Sequence, residues 1–110
     1  MKSRPIRSLT SADRDFDAIV NHYVREASFD VAERFVHALD AAYVVIGDTP
    51  GAGSPLLSGV LDLPDFRTWN LRGFPYLICY QQTSDAVVVW RILHAQRDLV
   101  GALAETASRN

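Results

Sequence analysis

At 110 residues, with 48% hydrophobic and 22% charged side chains, the chain has the composition of one folded domain spanning 1–110 with a modest core, and not of a disordered tail. Its formal charge of −2 supplies no basic field for gripping a phosphate backbone unaided, although ten of its eleven basic residues are arginine. No apolar run approaches the roughly 20 residues of a membrane helix, the basic start Met1-Lys2-Ser3-Arg4-Pro5 lacks the apolar stretch of a signal peptide, and the single cysteine, Cys79, excludes an intrachain disulfide, so a reduced, cytoplasmic protein is expected.

Ile6-Arg7-Ser8-Leu9 alternates and predicts a short edge strand. Lys2, Arg4, Arg7 and Arg14 crowd this region, as a charged edge or a partner-facing patch. Thr10 and Asp13 resemble a capping box that opens a helix with Ala12, Phe16, Ile19, Val20, Tyr23 and Ala27 on one stripe. Asp13, Asp15 and Asp17 fall near its positive end but spread round the helix, which argues against a metal cluster. Ser28 or Asp30 caps a second helix, whose stripe is Val31, Phe35, Leu39, Ala42 and Ile46, and Gly47 and Pro50 end it. So short a connection predicts an antiparallel helical hairpin. Residues 47–64, rich in Gly, Pro and Ser, read as a long loop without the lysine of a phosphate-cradling motif.

Strand patterning follows. Residues 66–71 form one strand, Arg72-Gly73 a turn, and residues 74–80 a second strand with Phe74, Tyr76 and Tyr80 on one face. After Thr83-Ser84-Asp85, the nearly continuous apolar run of residues 87–93 reads as a central strand. A marginal helix follows, with Leu99, Leu103 and Ala107 at helical spacing and Gly101 weakening it. The predicted class is α+β: strand, α-helical hairpin, three-stranded antiparallel meander and short C-terminal helix, with the hairpin on one sheet face and the other face open to a ligand or partner.

Chemistry-bearing residues are few. His22 and His37 fall on polar helix sides, whereas His94 ends the last strand and is presented with Arg97 at a sheet edge. No catalytic triad or paired metal-ligand spacing is identifiable, so neither catalytic residues nor a metal or cofactor are expected. Arg91, inside an apolar strand, requires a carboxylate or carbonyl, with Asp62, Asp65 and Asp98 as candidates. Arg67 beside Trp69 carries the same requirement, and Cys79 reads as a buried hydrophobe.

Arg67-Thr68-Trp69, Phe74-Pro75-Tyr76-Leu77-Ile78-Cys79-Tyr80 and Arg91-Ile92-Leu93-His94 with Arg97-Asp98 resemble the C-terminal half of ParE-type toxins of the RelE/ParE superfamily. Ala12 and Asp15, Ala32-Glu33-Arg34-Phe35, and Pro50 with Gly53 extend the resemblance over about residues 6–100. It implies the toxin of a type II toxin–antitoxin pair that poisons DNA gyrase and is neutralised by a ParD-like or other small DNA-binding antitoxin, with DNA reached only through that antitoxin. Candidate target-binding residues are then Arg67, Arg91, His94 and Arg97, and candidate antitoxin contacts are Trp69, Tyr76, Tyr80, Leu99 and Leu103. The alternative is a RelE-type ribosome-dependent endoribonuclease. Such nucleases carry lysines, an arginine and a tyrosine where this chain has Thr68 and Asn70, Leu77 and Leu103; only Arg97 matches.

Overall fold

In the computed structural model, which describes residues 3–109, the apolar stripes of two long helices close together over one face of a sheet. The chain runs β1 (Ile6–Ser8), α1 (Thr10–Glu26), α2 (Phe29–Asp48), a 3₁₀ turn (Pro50–Ala52), α3 (Leu56–Leu61), β2 (Phe66–Asn70), β3 (Tyr76–Gln82), β4 (Val87–His94) and α4 (Leu99–Arg109). The sheet order is β1-β4-β3-β2, with β1 parallel to β4 and the meander antiparallel. The predicted α+β architecture is present, and the run at residues 87–93 is an interior strand. Lys2 lies outside the described residues; Arg7 and Arg14 are exposed, and Arg4 Nη1 donates to the Thr83 carbonyl at 2.7 Å.

Two separate cores hold the sheet. On the hairpin side, Ala12, Ile19, Phe35, Leu39 and Ile46 meet Ile78, Tyr80, Val87, Val89 and Ile92. On the opposite side, Phe66, Cys79, Trp90 and Leu93 are sealed by Ala102 and Leu103 of α4, with Leu57 and Leu61 of α3 packed alongside. The expected open face is therefore closed. The reason lies in two underestimated segments: the Gly/Pro-rich stretch contains α3, and α4 runs to Arg109 despite Gly101. Asp98 Oδ1 accepts the Gly101 N–H at 3.0 Å, a cap that offsets the glycine's low helix propensity.

The helix ends also differ from expectation. Leu9, not Thr10, occupies the N-cap of α1 and offers no side-chain bond, while Asp13 accepts from Ser8 Oγ at 2.7 Å. Ser28 caps α2 as expected, its Oγ accepting from Val31 N at 3.1 Å. α2 continues through Gly47 to Asp48. Gly47 is needed there because the Arg4 carbonyl would lie 2.9 Å from any Cβ, and Arg4 N–H donates to the Gly47 carbonyl.

A bulge finishes the frame. Tyr80 pairs with Val89 and Cys79 with Arg91, so β4 carries one extra residue, Trp90. As a result Trp90 and Leu93 both reach the α4 core, while Arg91 bonds Thr106 on the same helix. β1 pairs with β4 only as far as Val89. Beyond that point the start of α1 takes over the exposed edge: Leu9 N–H donates to Val89 O, Ser11 Oγ to Trp90 O, and Ile92 N–H to Asp15 Oδ2.

Candidate functional site

Arg91 is held in a knot of three elements. Its Nε and Nη2 donate to Asp15 Oδ2 and Oδ1 at 2.7 and 2.9 Å, and Nη1 donates to Thr106 Oγ1 at 3.2 Å. Both charged side chains are 14% exposed. The carboxylate holds the guanidinium more firmly protonated than usual. Its partner is thus Asp15, and not Asp62, Asp65 or Asp98. Spacing places Asp15 three residues after Ala12 and four before Ile19, on the buried stripe of α1, which marks it as a carboxylate in need of a partner without naming Arg91.

Arg67 serves the loop before β2. Its Nη1 donates to the Gly53 carbonyl at 3.0 Å, and its buried Nε has no partner among the described residues. Tyr80, opposite Arg67 on β3, accepts from Gly53 N–H at 3.1 Å and donates to the Pro50 carbonyl at 2.6 Å. Burial pushes the Tyr80 hydroxyl pKa up, opposed by the Gly53 bond and the Arg67 charge. A Cβ at Gly53 would collide with the Tyr80 hydroxyl and stand 2.9 Å from the Thr68 carbonyl, so this approach requires glycine. Ser54 then pairs with Thr68 and covers part of the β2 edge.

His94 and Arg97 come together at the exposed turn between β4 and α4. Arg97 N–H donates to the His94 carbonyl at 3.0 Å, and Gln96 N–H donates to His94 Nδ1 at 3.1 Å. The imidazole stands edge-on to Tyr76, ring centroids 5.4 Å apart. Tyr76 in turn meets Tyr23 and Phe35. Burial and the neighbouring Tyr76 raise the Tyr23 hydroxyl pKa. This arrangement offers an aromatic ring, a histidine and, in Arg97, a guanidinium with no side-chain bond among the described residues on one exposed corner. Arg67 is not part of it: it pairs with Tyr80, four residues along β3 from Tyr76, or about 13 Å at strand rise.

The proposed antitoxin contacts divide by burial. Tyr80 and Leu103 are fully enclosed in the two cores and present no surface to a partner in this conformation. Tyr76 and Leu99 are half-buried. Trp69, also half-buried, lines a groove of about 310 Å³ with Ala38, Ala41, Ala42, Val45 and Arg72. Val45 is 41% exposed there, an apolar display that sequence periodicity alone concealed because it lies off the main α2 stripe. Among the described residues there is no cluster of side chains able to hold a metal, and no helix is long and apolar enough to cross a membrane.

The family model described as ParE toxin of type II toxin-antitoxin system, parDE, matches residues 6–99. The chain belongs to this family. A solved structure titled as the chromosomal ParDE toxin–antitoxin system from P. aeruginosa superposes with a TM-score of 0.69 at 22% identity, covering 84% of this chain and 96% of that one. That likeness concerns the fold. No curated protein matches the chain. Membership agrees with the residues that carried the resemblance, which span the meander and the Arg91-Ile92-Leu93-His94 segment of this ParE family chain.

Proposed function

We propose that this ParE family chain acts by binding, arresting DNA gyrase without chemistry of its own, and that a co-expressed antitoxin silences it. The observation that carries the reading is the occupancy of the RelE-type nuclease positions. Thr68 and Asn70 are uncharged, and Leu77 and Leu103 pack into the core on the α4 side. None of these brings a cation to developing charge on a phosphate or a titratable group to move a proton. The exposed corner of His94, Arg97 and Tyr76 supplies the target-facing groups, a pairing of arginine and aromatic suited to protein recognition.

The antitoxin belongs on the groove lined by Trp69 and Val45. Its apolar walls and the flanking Arg72 suit an amphipathic helix with an acidic margin, ordered on binding. The deciding measurement is supercoiling by purified gyrase with increasing amounts of the chain. Inhibition that is relieved by the antitoxin supports the reading. Undisturbed supercoiling, together with new mRNA ends in cells expressing the chain, would instead establish the ribonuclease.

A further inference from the structure

Three of the ten arginines converge on one cleft although they are far apart in sequence. Arg14 of α1, Arg91 of β4 and Arg109 of α4 line a space of about 320 Å³ with Thr10, Ser11, Glu105 and Thr106. A guanidinium has five N–H donors. Asp15 takes one from Nε and one from Nη2 of Arg91, and Thr106 takes one from Nη1, which leaves one hydrogen on each Nη for a further acceptor such as an oxyanion. Asp15 holds the guanidinium in place, so its ordering cost is met in the folded chain.

The first turn of α1 adds donors. Thr10 and Ser11 N–H have no acceptor among the described residues, because the Leu9 side chain at the N-cap carries none and its carbonyl accepts from Ala12 and Asp13. This 17-residue helix therefore directs its positive end at the region where the arginines gather. Two carboxylates oppose them. Asp15 is committed to Arg91, and Glu105 pairs with Arg109 at 2.8 Å, but the Glu105 and Arg109 side chains are 59% and 70% exposed. An exposed i,i+4 pair of this kind is weak, so Arg109 is available to a stronger acceptor.

We propose that this cleft binds a phosphate group carried by a small molecule. A phosphate has enough oxygens to engage the remaining Arg91 N–H groups, the α1 N–H groups, Arg14 and Arg109 together. The volume sits at the lower end of small-ligand pockets, which run from about 300 Å³ upward. With a net charge of −2 the chain has no long-range field for a polyanion, which favours a single phosphate group over a nucleic-acid backbone. The proposal is independent of the gyrase reading.

The test is a titration of the purified chain with inorganic phosphate and, separately, adenosine monophosphate, followed by amide nitrogen–proton spectra. Sodium chloride at matched ionic strength is the control. Saturable shifts at Thr10 and Ser11 are expected. Tighter binding of the nucleotide identifies a nucleotide as the source, and equal affinity identifies free phosphate; either supports the site. The double variant R14Q/R109Q should bind about tenfold more weakly or worse with its spectrum otherwise unchanged, while E105Q should bind severalfold more tightly. Shifts reproduced by chloride, or insensitive to R14Q/R109Q, would overturn the proposal. So would a DNA duplex that displaces phosphate from the same amides at far lower concentration.

Discussion

Arg91 and Asp15 show how one buried charge organises three elements. Their two-point bond would be costly to break from one side, because the survivor stays largely buried and Ile92 N–H loses its acceptor as well. Asp15→Ala should therefore lower unfolding free energy by about 3 kcal/mol in a urea titration. A loss under about 1 kcal/mol would show that water replaces the carboxylate. Cys79 is the complementary case, a thiol whose neutral form is favoured. Burial, and secondarily the Asp15 charge, raises its pKa from 9.0 to about 12, with Arg91 acting the other way. The unfolded thiol ionises first as pH rises, so this contribution to stability is fully present below pH 9.0 and is lost progressively towards about 12. Urea midpoints should hold level below pH 9.0 and fall as the pH rises above it. They should fall less in Cys79→Ala.

At the scale of elements, α4 decides whether the second sheet face is core or surface. Its Leu103 is fully buried against the side chains that β2, β3 and β4 send to that face. Leu103→Ala should cost about 2–5 kcal/mol and increase binding of a hydrophobic dye, as Phe66, Trp90 and Leu93 lose their cover. Unchanged dye binding would mean that α4 is not the lid of this core. The groove beside α2 behaves differently, because Val45 is 41% exposed and contributes little to folding. Val45→Arg should leave the thermal midpoint nearly unchanged yet weaken antitoxin binding by about tenfold or more in calorimetry, through a charge placed in an apolar contact. An antitoxin that binds the variant normally must sit elsewhere.

Over the whole molecule, two surfaces point away from each other in function: a polar corner at His94 and Arg97, and an apolar groove at Trp69. If the corner contacts gyrase, His94→Ala combined with Arg97→Ala should reduce supercoiling inhibition about tenfold or more with folding intact. Equal inhibition by the double variant would place the contact on another surface. Stability is shared between two cores on opposite sheet faces, joined through Arg91, which bonds Asp15 of α1 and Thr106 of α4.

The sequence by itself determined the order of the four strands, the two long helices and the C-terminal helix, the hairpin stripe and the family, because each depends on local spacing: helical offsets of three and four, strand alternation, and turn residues. It also showed that Arg91 needed a partner. Tertiary structure alone decided that the partner is Asp15, 76 positions away, since a carboxylate's role depends on which face its helix buries. It decided likewise that Tyr80 and Leu103 lie inside, and that α3 and α4 close the face expected to be open. Short helices bury their few apolar groups only against a surface built by distant strands, so their own residues carry a weak local signal. The convergence of Arg14, Arg91 and Arg109 is the clearest instance: three arginines on three elements become one cleft only when the sheet and both helical layers are in place.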